Sequence, residues 1–283
     1  MTYSIYQLLW IFLLYTFLGW CMEVIFQATR HGRFINRGFL NGPVCPIYGF
    51  GVVLISVALV PLSDHLWALF LGGMLLTSTL EFITGFLLEK LFDDKWWDYS
   101  KEPFNIKGYI CLRFSLAWGI ICVVVVDRIQ PLVLRLINWI PHTLGVVLLI
   151  VCYAALIADF AVTLCTTLKL RRRLRALDEV GHALHTMSDR IGEPMADGAI
   201  NLYEKLPTKE ELQEKLPTKE QLREKSAETI ESLKARRQKL AEESNWRERR
   251  LLRAFPRLQD GKYREGVANM RQAWRERREK KKK

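Results

Sequence analysis

The sequence is short of the features that usually carry chemistry. It has no G-x-x-x-x-G-K-[ST] loop, so it brings no nucleotide-hydrolysing loop of its own. None of its six cysteines forms a C-x-x-C pair, and none lies beyond Cys165. That argues against a disulfide framework or a zinc site. Cys21, Cys45, Cys111, Cys122, Cys152 and Cys165 read instead as small buried side chains. No paired nucleophile and base, metal-ligand cluster or cofactor motif is visible, so no enzymatic activity, cofactor or metal is expected. The first apolar run has no Lys or Arg before it, and Glu23 follows where a cleavage site would be sought. Trp20 spoils the lipoprotein-like Leu18-Gly19-Trp20-Cys21 box, so this run is expected to be retained.

Net charge is absent from the first 168 residues, where ten Lys+Arg balance ten Asp+Glu. Residues 169–283 hold thirty-one against twenty, which accounts for the whole formal charge of +11. Long apolar runs have the opposite distribution, lying wholly before that boundary. Crossing about 30 Å of hydrocarbon takes about 20 helical residues. Runs of suitable length fall at about Ser4–Gln27, Cys45–Leu62, His65–Leu91, Tyr109–Val126 and Thr143–Leu168. Their continuity favours helices over an alternating membrane barrel. The expected fold is an all-α membrane protein of about five transmembrane helices in residues 1–168. Residues 169–283 form a basic, partly helical cytoplasmic tail.

Loop charge orients the spans. Arg30, Arg33 and Arg37, then Lys90, Lys95, Lys101 and Lys107, then Lys169, Arg171, Arg172, Arg173 and Arg175 all fall on one side. The other side has Arg128 and Arg135. Twelve against two places the N-terminus outside and the tail in the cytoplasm of a bacterial inner-membrane protein. Asp127–Pro141 is the weak point; with Pro131 and its apolar residues it can form an extra interfacial or re-entrant segment.

Ionisable groups inside spans are costly and need a partner or a wet cavity. Glu23, Glu81, Glu89, Arg113 and Asp159 all lie in the expected cytoplasmic half of the bundle. They are either a transport or ligand site, or a structural ion pair with groups reaching the interface. Arg113 is the expected counter-charge for Glu23 or Glu81, with hydroxyls of Thr77, Ser78, Thr79 and Thr84 around Glu81. Gly72, Gly73, Gly85 and Ala154-x-x-x-Ala158 permit close helix packing. The stretch Arg37–Gly51 has four glycines and two prolines yet is apolar in tone, so it is neither a helix interior nor an ordinary solvated loop. Its Asn41, Gly42, Pro43, Pro46 and Tyr48 either line a cavity as a re-entrant segment or make a tight turn into the second span. Trp96-Trp97-Asp98-Tyr99-Ser100 and Pro103-Phe104-Asn105 suit headgroup level or a docking knob for a partner subunit.

These residues also carry a resemblance. Gly19-Trp20-x-x-Glu23, the Arg37-Gly38-Phe39…Gly42-Pro43…Pro46-Ile47-Tyr48-Gly49 run, Glu81-x-x-Thr84-Gly85…Glu89, and Trp97-Asp98-Tyr99…Pro103-Phe104-Asn105…Gly108…Ile110-Cys111-Leu112 follow one another in order. Together they resemble the bacterial membrane family of putative ABC-transporter permeases, type IV, strongly over Leu13–Gly119 and loosely over the rest of the membrane part. The resemblance implies a transport component partnered by a separate ATPase subunit, and it assigns no binding residues. The chain departs from importer permeases in having no Glu-Ala-Ala-type coupling loop and about five spans rather than six.

The tail repeats itself. Glu204-Lys205-Leu206-Pro207-Thr208-Lys209-Glu210-Glu211-Leu212 recurs as Glu214-Lys215-Leu216-Pro217-Thr218-Lys219-Glu220-Gln221-Leu222. Thr208 with Glu211 and Thr218 with Gln221 fit capping boxes, which predicts a short helix and then a longer one. Leu222, Ile230, Leu233 and Leu240 give the second a thin apolar stripe, enough for an exposed helix or weak coiled coil but not for a packed domain. Trp246-Arg247-Glu248-Arg249-Arg250 recurs as Trp274-Arg275-Glu276-Arg277-Arg278 ahead of Lys280–Lys283. Such segments either stay solvated without a specific ligand, dock a protein partner, or bind anionic lipid headgroups at about 1 kcal/mol per charge near the surface. Beneath a membrane the lipid reading outweighs nucleic acid. Two functions follow from the whole sequence: a transport component of unknown substrate, or a membrane-anchored scaffold or sensor whose tail recruits partners.

Overall fold

The computed structural model describes residues 3–32, 34, 36, 38–59, 65–92, 95–204, 217–243, 245–254 and 263–280. Arg33, Arg37, the Pro61–Asp64 turn and nearly all of the first copy of the tail repeat lie outside them. The described residues form an all-α protein in two compact units, 1–168 with 246–262, and 169–245 with 263–283.

Helix α1 (Ile5–His31) opens on a capping box in which Ser4 and Gln7 exchange hydrogen bonds, and it closes at Gly32 with φ 64°. Helix α3 (Leu66–Phe92) and the long α6 (His142–Glu204) follow the apolar runs. Among the described residues three helices are long and apolar enough to cross a membrane: Ile5–Thr29, Leu66–Phe92 and His142–Thr186. Their outward faces carry Phe17, Ile25, Leu75, Ile83, Ile150 and Ile157, each exposed. A water-soluble monomer does not normally leave so much apolar surface uncovered, whereas hydrocarbon would accept it.

The two other expected spans come out differently. Helix α2 (Pro46–Ala58) has only 13 residues: it starts on a first-turn proline, one residue from the expected Cys45, but ends at Ala58 with Leu59 as its cap, short of the expected Leu62. Helix α4 (Leu112–Val124) runs through a π-helical turn, Val125–Ile129, directly into α5 (Gln130–Trp139). Pro131 explains that turn. It lacks the N–H that would bond the Asp127 carbonyl, and its ring would clash there in a regular helix. The segment between Asp127 and Pro141 is thus a continuation of the fourth helix. It buries Val133 and Ile137 while Leu132, Leu136 and Trp139 face out.

The inner packing uses small residues. Thr16 and the Phe12 carbonyl leave no room for a side chain at Gly49, and the Tyr48 ring lies directly on Gly19, so α1 and α2 touch backbone to side chain. Gly73 admits Cys122 and Gly119 admits Phe70, while the buried Ser78 and Ser115 hydroxyls bond at 2.7 Å between α3 and α4. At the other end Trp10, Ile11, Tyr15, Val52, Val133, Ile137 and Leu149 form one core. Within it Gln130 accepts from the Tyr15 hydroxyl at 2.8 Å and donates to Ser56 at 3.3 Å. All six cysteines are free; Cys45, Cys111 and Cys122 are buried as expected, but Cys152 and Cys165 are exposed on α6.

The second unit has a core that the thin stripe of tail leucines did not suggest. Leu170, Leu174, Leu177 and Val180 of α6 are buried, as are Ala241 at the end of α7 (Pro217–Glu242) and Tyr263. Val267, Met270 and Ala273 of α9 (Arg264–Lys280) are buried as well. A side chain at Gly266 would meet Leu174 and Leu177, Arg175 donates to the Tyr263 hydroxyl at 3.1 Å, and Arg237 bonds Asn269. The missing partners were on other helices, so no single stripe revealed them.

Replacing Gly49 with alanine is expected to cost about 3 kcal/mol, because the new methyl meets the Phe12 backbone. Gly51→Ala, whose methyl meets only Leu80 at 3.6 Å, should leave stability nearly unchanged. Thermal unfolding of the two variants in detergent reads the difference.

Candidate functional site

Between α1 and α2 the chain runs without helix, so its backbone groups need partners from elsewhere. Asp159 of α6 supplies partners for two of them. Its Oδ1 accepts the Asn41 backbone N–H at 3.2 Å and the Asn41 carboxamide at 2.8 Å, and its Oδ2 accepts the Gly42 N–H at 2.7 Å. Thr163, one turn on, donates to Asp159 at 3.3 Å and accepts from the Asn41 carboxamide at 2.8 Å. The Asn36 carboxamide donates to the Asn41 carbonyl and accepts from the Gly38 N–H and the Trp20 indole. Around Pro43 the Val44 N–H turns back to the Gly42 carbonyl at 2.9 Å, and the Cys45 N–H bonds the Thr16 carbonyl of α1 at 2.9 Å. Leu40 is fully buried in this segment.

The Gly38 and Phe39 carbonyls are taken by a residue more than two hundred positions away. Arg250, on the short helix α8 (Trp246–Ala254) of the same compact unit, donates to them at 3.1 and 2.9 Å. Burial lowers the pKa of its guanidinium, and the Asp159 charge opposes that shift.

A second polar group joins α1, α2, α3, α4 and the loop before α4. The Tyr48 hydroxyl donates to Glu23 at 2.8 Å, and the Tyr99 hydroxyl donates to Glu81 at 3.2 Å. The Trp118 ring packs edge-on against Tyr48 at 5.8 Å, and its indole lies against Glu81. Tyr99 owes its position to a folded loop. Its N–H bonds the Gly108 carbonyl at 2.7 Å, Asn105 ties Glu102 to Gly108, and Asp98 holds the Ser100 N–H. Strands β1 (Asn105–Ile106) and β2 (Ile110–Cys111) pair antiparallel around left-handed Lys107 and Gly108. Stacking on Phe114 at 4.7 Å fixes the Tyr99 ring. Burial first, and then the Glu81 carboxyl, raise the Tyr99 pKa, so its hydroxyl stays protonated and donates.

The structure therefore brings Asn41 and Gly42 to Asp159, Tyr48 to Glu23, and Tyr99 to Glu81. Pro43 shapes the turn and Pro46 starts α2. Glu89, two turns beyond Glu81, approaches the buried Tyr109 phenol. Arg113 does not serve as the counter-charge expected of it. Helix α4 starts at Leu112, so Arg113 lies in its first turn. It is largely exposed, 3.9 Å from Glu102 and over the Phe114 ring. Thr77 and Thr79 also miss Glu81, since their hydroxyls bond the Gly73 and Leu75 carbonyls of their own helix. Asn36, Trp118 and Thr163 were not singled out from the sequence, and Arg250 only as part of a basic repeat read as facing lipid headgroups. Only Thr163 carried a local signal, being one helical turn from Asp159.

The family described as Putative ABC-transporter type IV matches residues 10–164, more than half of the chain. The chain belongs to that family. No curated protein and no solved structure matches it. The matched residues contain both polar groups except Arg250.

Asp159→Ala orphans the part-buried Asn41 and Gly42 N–H groups, at about 1 kcal/mol for each donor. Asp159→Asn keeps one acceptor oxygen and should lose roughly half as much. The fraction of monodisperse protein surviving heating in detergent is expected to rank wild type above Asn and Asn above Ala.

Proposed function

We propose that this chain is the membrane-embedded subunit of a bacterial transporter, with no ATPase of its own, and that the Glu23–Tyr48 and Glu81–Tyr99 group is where it handles its substrate. One observation carries the reading. Among the described residues no Lys or Arg forms an ion pair with Glu23 or Glu81; each bonds a tyrosine hydroxyl, and Glu81 Oε2 is buried without a hydrogen-bond partner. A purely structural role would be better met by a basic partner, because a carboxylate in an apolar bundle is costly. Carboxyls left to phenols remain free to meet a proton or a cationic group.

In this reading the chain crosses the inner membrane five times, and the non-helical segment with α2 makes the second crossing. The α4–α5 run makes the fourth. The N-terminus is outside and the basic tail is in the cytoplasm, where its second Trp-Arg-Glu-Arg-Arg copy, Trp274–Arg278, and the terminal lysines face anionic headgroups. The second reading, a membrane-anchored scaffold or sensor, is favoured by the separate helical core of residues 169–245 and 263–283.

Gentle detergent purification of the tagged chain, followed by mass spectrometry, separates the two. A stoichiometric nucleotide-binding subunit is expected; repeated recovery of other partners without one would favour the scaffold. In the recovered complex, Glu81→Gln should keep assembly intact and lower ATP turnover.

A further inference from the structure

The non-helical segment presents an acceptor set suited to one kind of donor. The Gly38 and Phe39 carbonyls receive the two terminal nitrogens of Arg250, and the Asp159 charge acts on the same guanidinium. A planar fork with fixed N–H directions satisfies two adjacent carbonyls at once, which a lysine ammonium does less well. The helix that brings it is docked rather than merely near. Leu251, Leu252 and Ala254 are buried at 1, 1 and 2% exposure, while Arg253 on the opposite face is exposed. The occupant also comes from outside the stretch that the family shares, since the match ends at residue 164. In sequence, α8 stands between two segments of the other compact unit, so the chain leaves the first unit at Leu168 and returns to it at Trp246.

We propose that the Gly38–Phe39 carbonyl pair backed by Asp159 is a guanidinium-binding site, filled in cis by Arg250, and that α8 is thereby a releasable latch on the segment entering α2. While Arg250 is seated, the Gly38 and Phe39 carbonyls are held by Arg250 and the Asn41 and Gly42 N–H groups by Asp159. When α8 leaves, two carbonyls lose their donors and the segment is free to rearrange. The tail then acts on the membrane part through one side chain.

Hydrogen–deuterium exchange on the full-length protein in lipid nanodiscs tests this. In Arg250→Gln, peptides covering residues 38–45 should exchange at least about tenfold faster, with α1 and α3 unchanged; Arg250→Lys should be intermediate and Arg253→Gln like wild type. Ethylguanidinium at millimolar concentration should restore protection to Arg250→Gln, and ethylammonium should not. Unchanged exchange in Arg250→Gln would overturn the latch. Faster exchange that ethylguanidinium leaves uncorrected, or that ethylammonium corrects equally, would overturn the guanidinium site. Should Arg250→Gln fail to fold, Arg250→Lys with and without ethylguanidinium gives the same decision.

Discussion

The backbone of a chain that stops being helical among apolar helices must find hydrogen-bond partners, and here one carboxylate takes two adjacent N–H groups. Asp159 holds the N–H groups of Asn41 and Gly42, and with them the place where α1 gives way to α2. That junction decides where α2 starts, where Tyr48 stands, and which way its hydroxyl points. The pairing of Tyr48 with Glu23 depends on it, and so does the contact of Tyr48 with Trp118. An aspartate in the middle of an apolar helix is therefore a backbone partner first. In an apolar setting the pairing serves both sides, since the carboxylate gains donors and the two N–H groups gain acceptors.

The second polar group follows the same economy by other means. Its carboxyls sit against phenols held by distant parts of the chain, Tyr48 by the close α1–α2 contact at Gly19 and Tyr99 by the folded loop ahead of α4. A phenol donates one directed hydrogen bond and adds no charge. The carboxyls are thus positioned while their electrostatic demand is left unmet. This separates orientation from neutralisation.

Much of this was legible in the sequence, for reasons of cost. A charge in an apolar run and a cluster of glycine and proline are both expensive unless used, so Glu81, Asp159 and the Asn41–Pro46 stretch stood out. Direction was not legible. Arg113 is in the right helix, but one residue from its start, and the side chain turns outward. Length was legible only where helix and apolar run coincide; the second run extends forward to Leu62, whereas α2 ends at Ala58. Arg250 was invisible as a partner, because nothing local distinguishes it from the other arginines of its helix. The core of residues 169–283 was missed for a related reason, since each of its helices contributes only a narrow stripe.

The π-helical turn at Val125–Ile129 has a consequence for facing. Along α4 and α5 the buried positions run Ser115, Gly119, Cys122, Val125, Gln130, Val133 and Ile137, stepping by three or four except for one step of five across the turn. One extra residue amounts to about 100° of rotation. A regular helix would carry the inward face around the axis by that amount, bringing the Asp127–Arg128 pair toward α1 and losing the Gln130 bridge to Tyr15 and Ser56. The widened turn resets the phase, so one continuous helix serves α3 with its first half and α1 with its second.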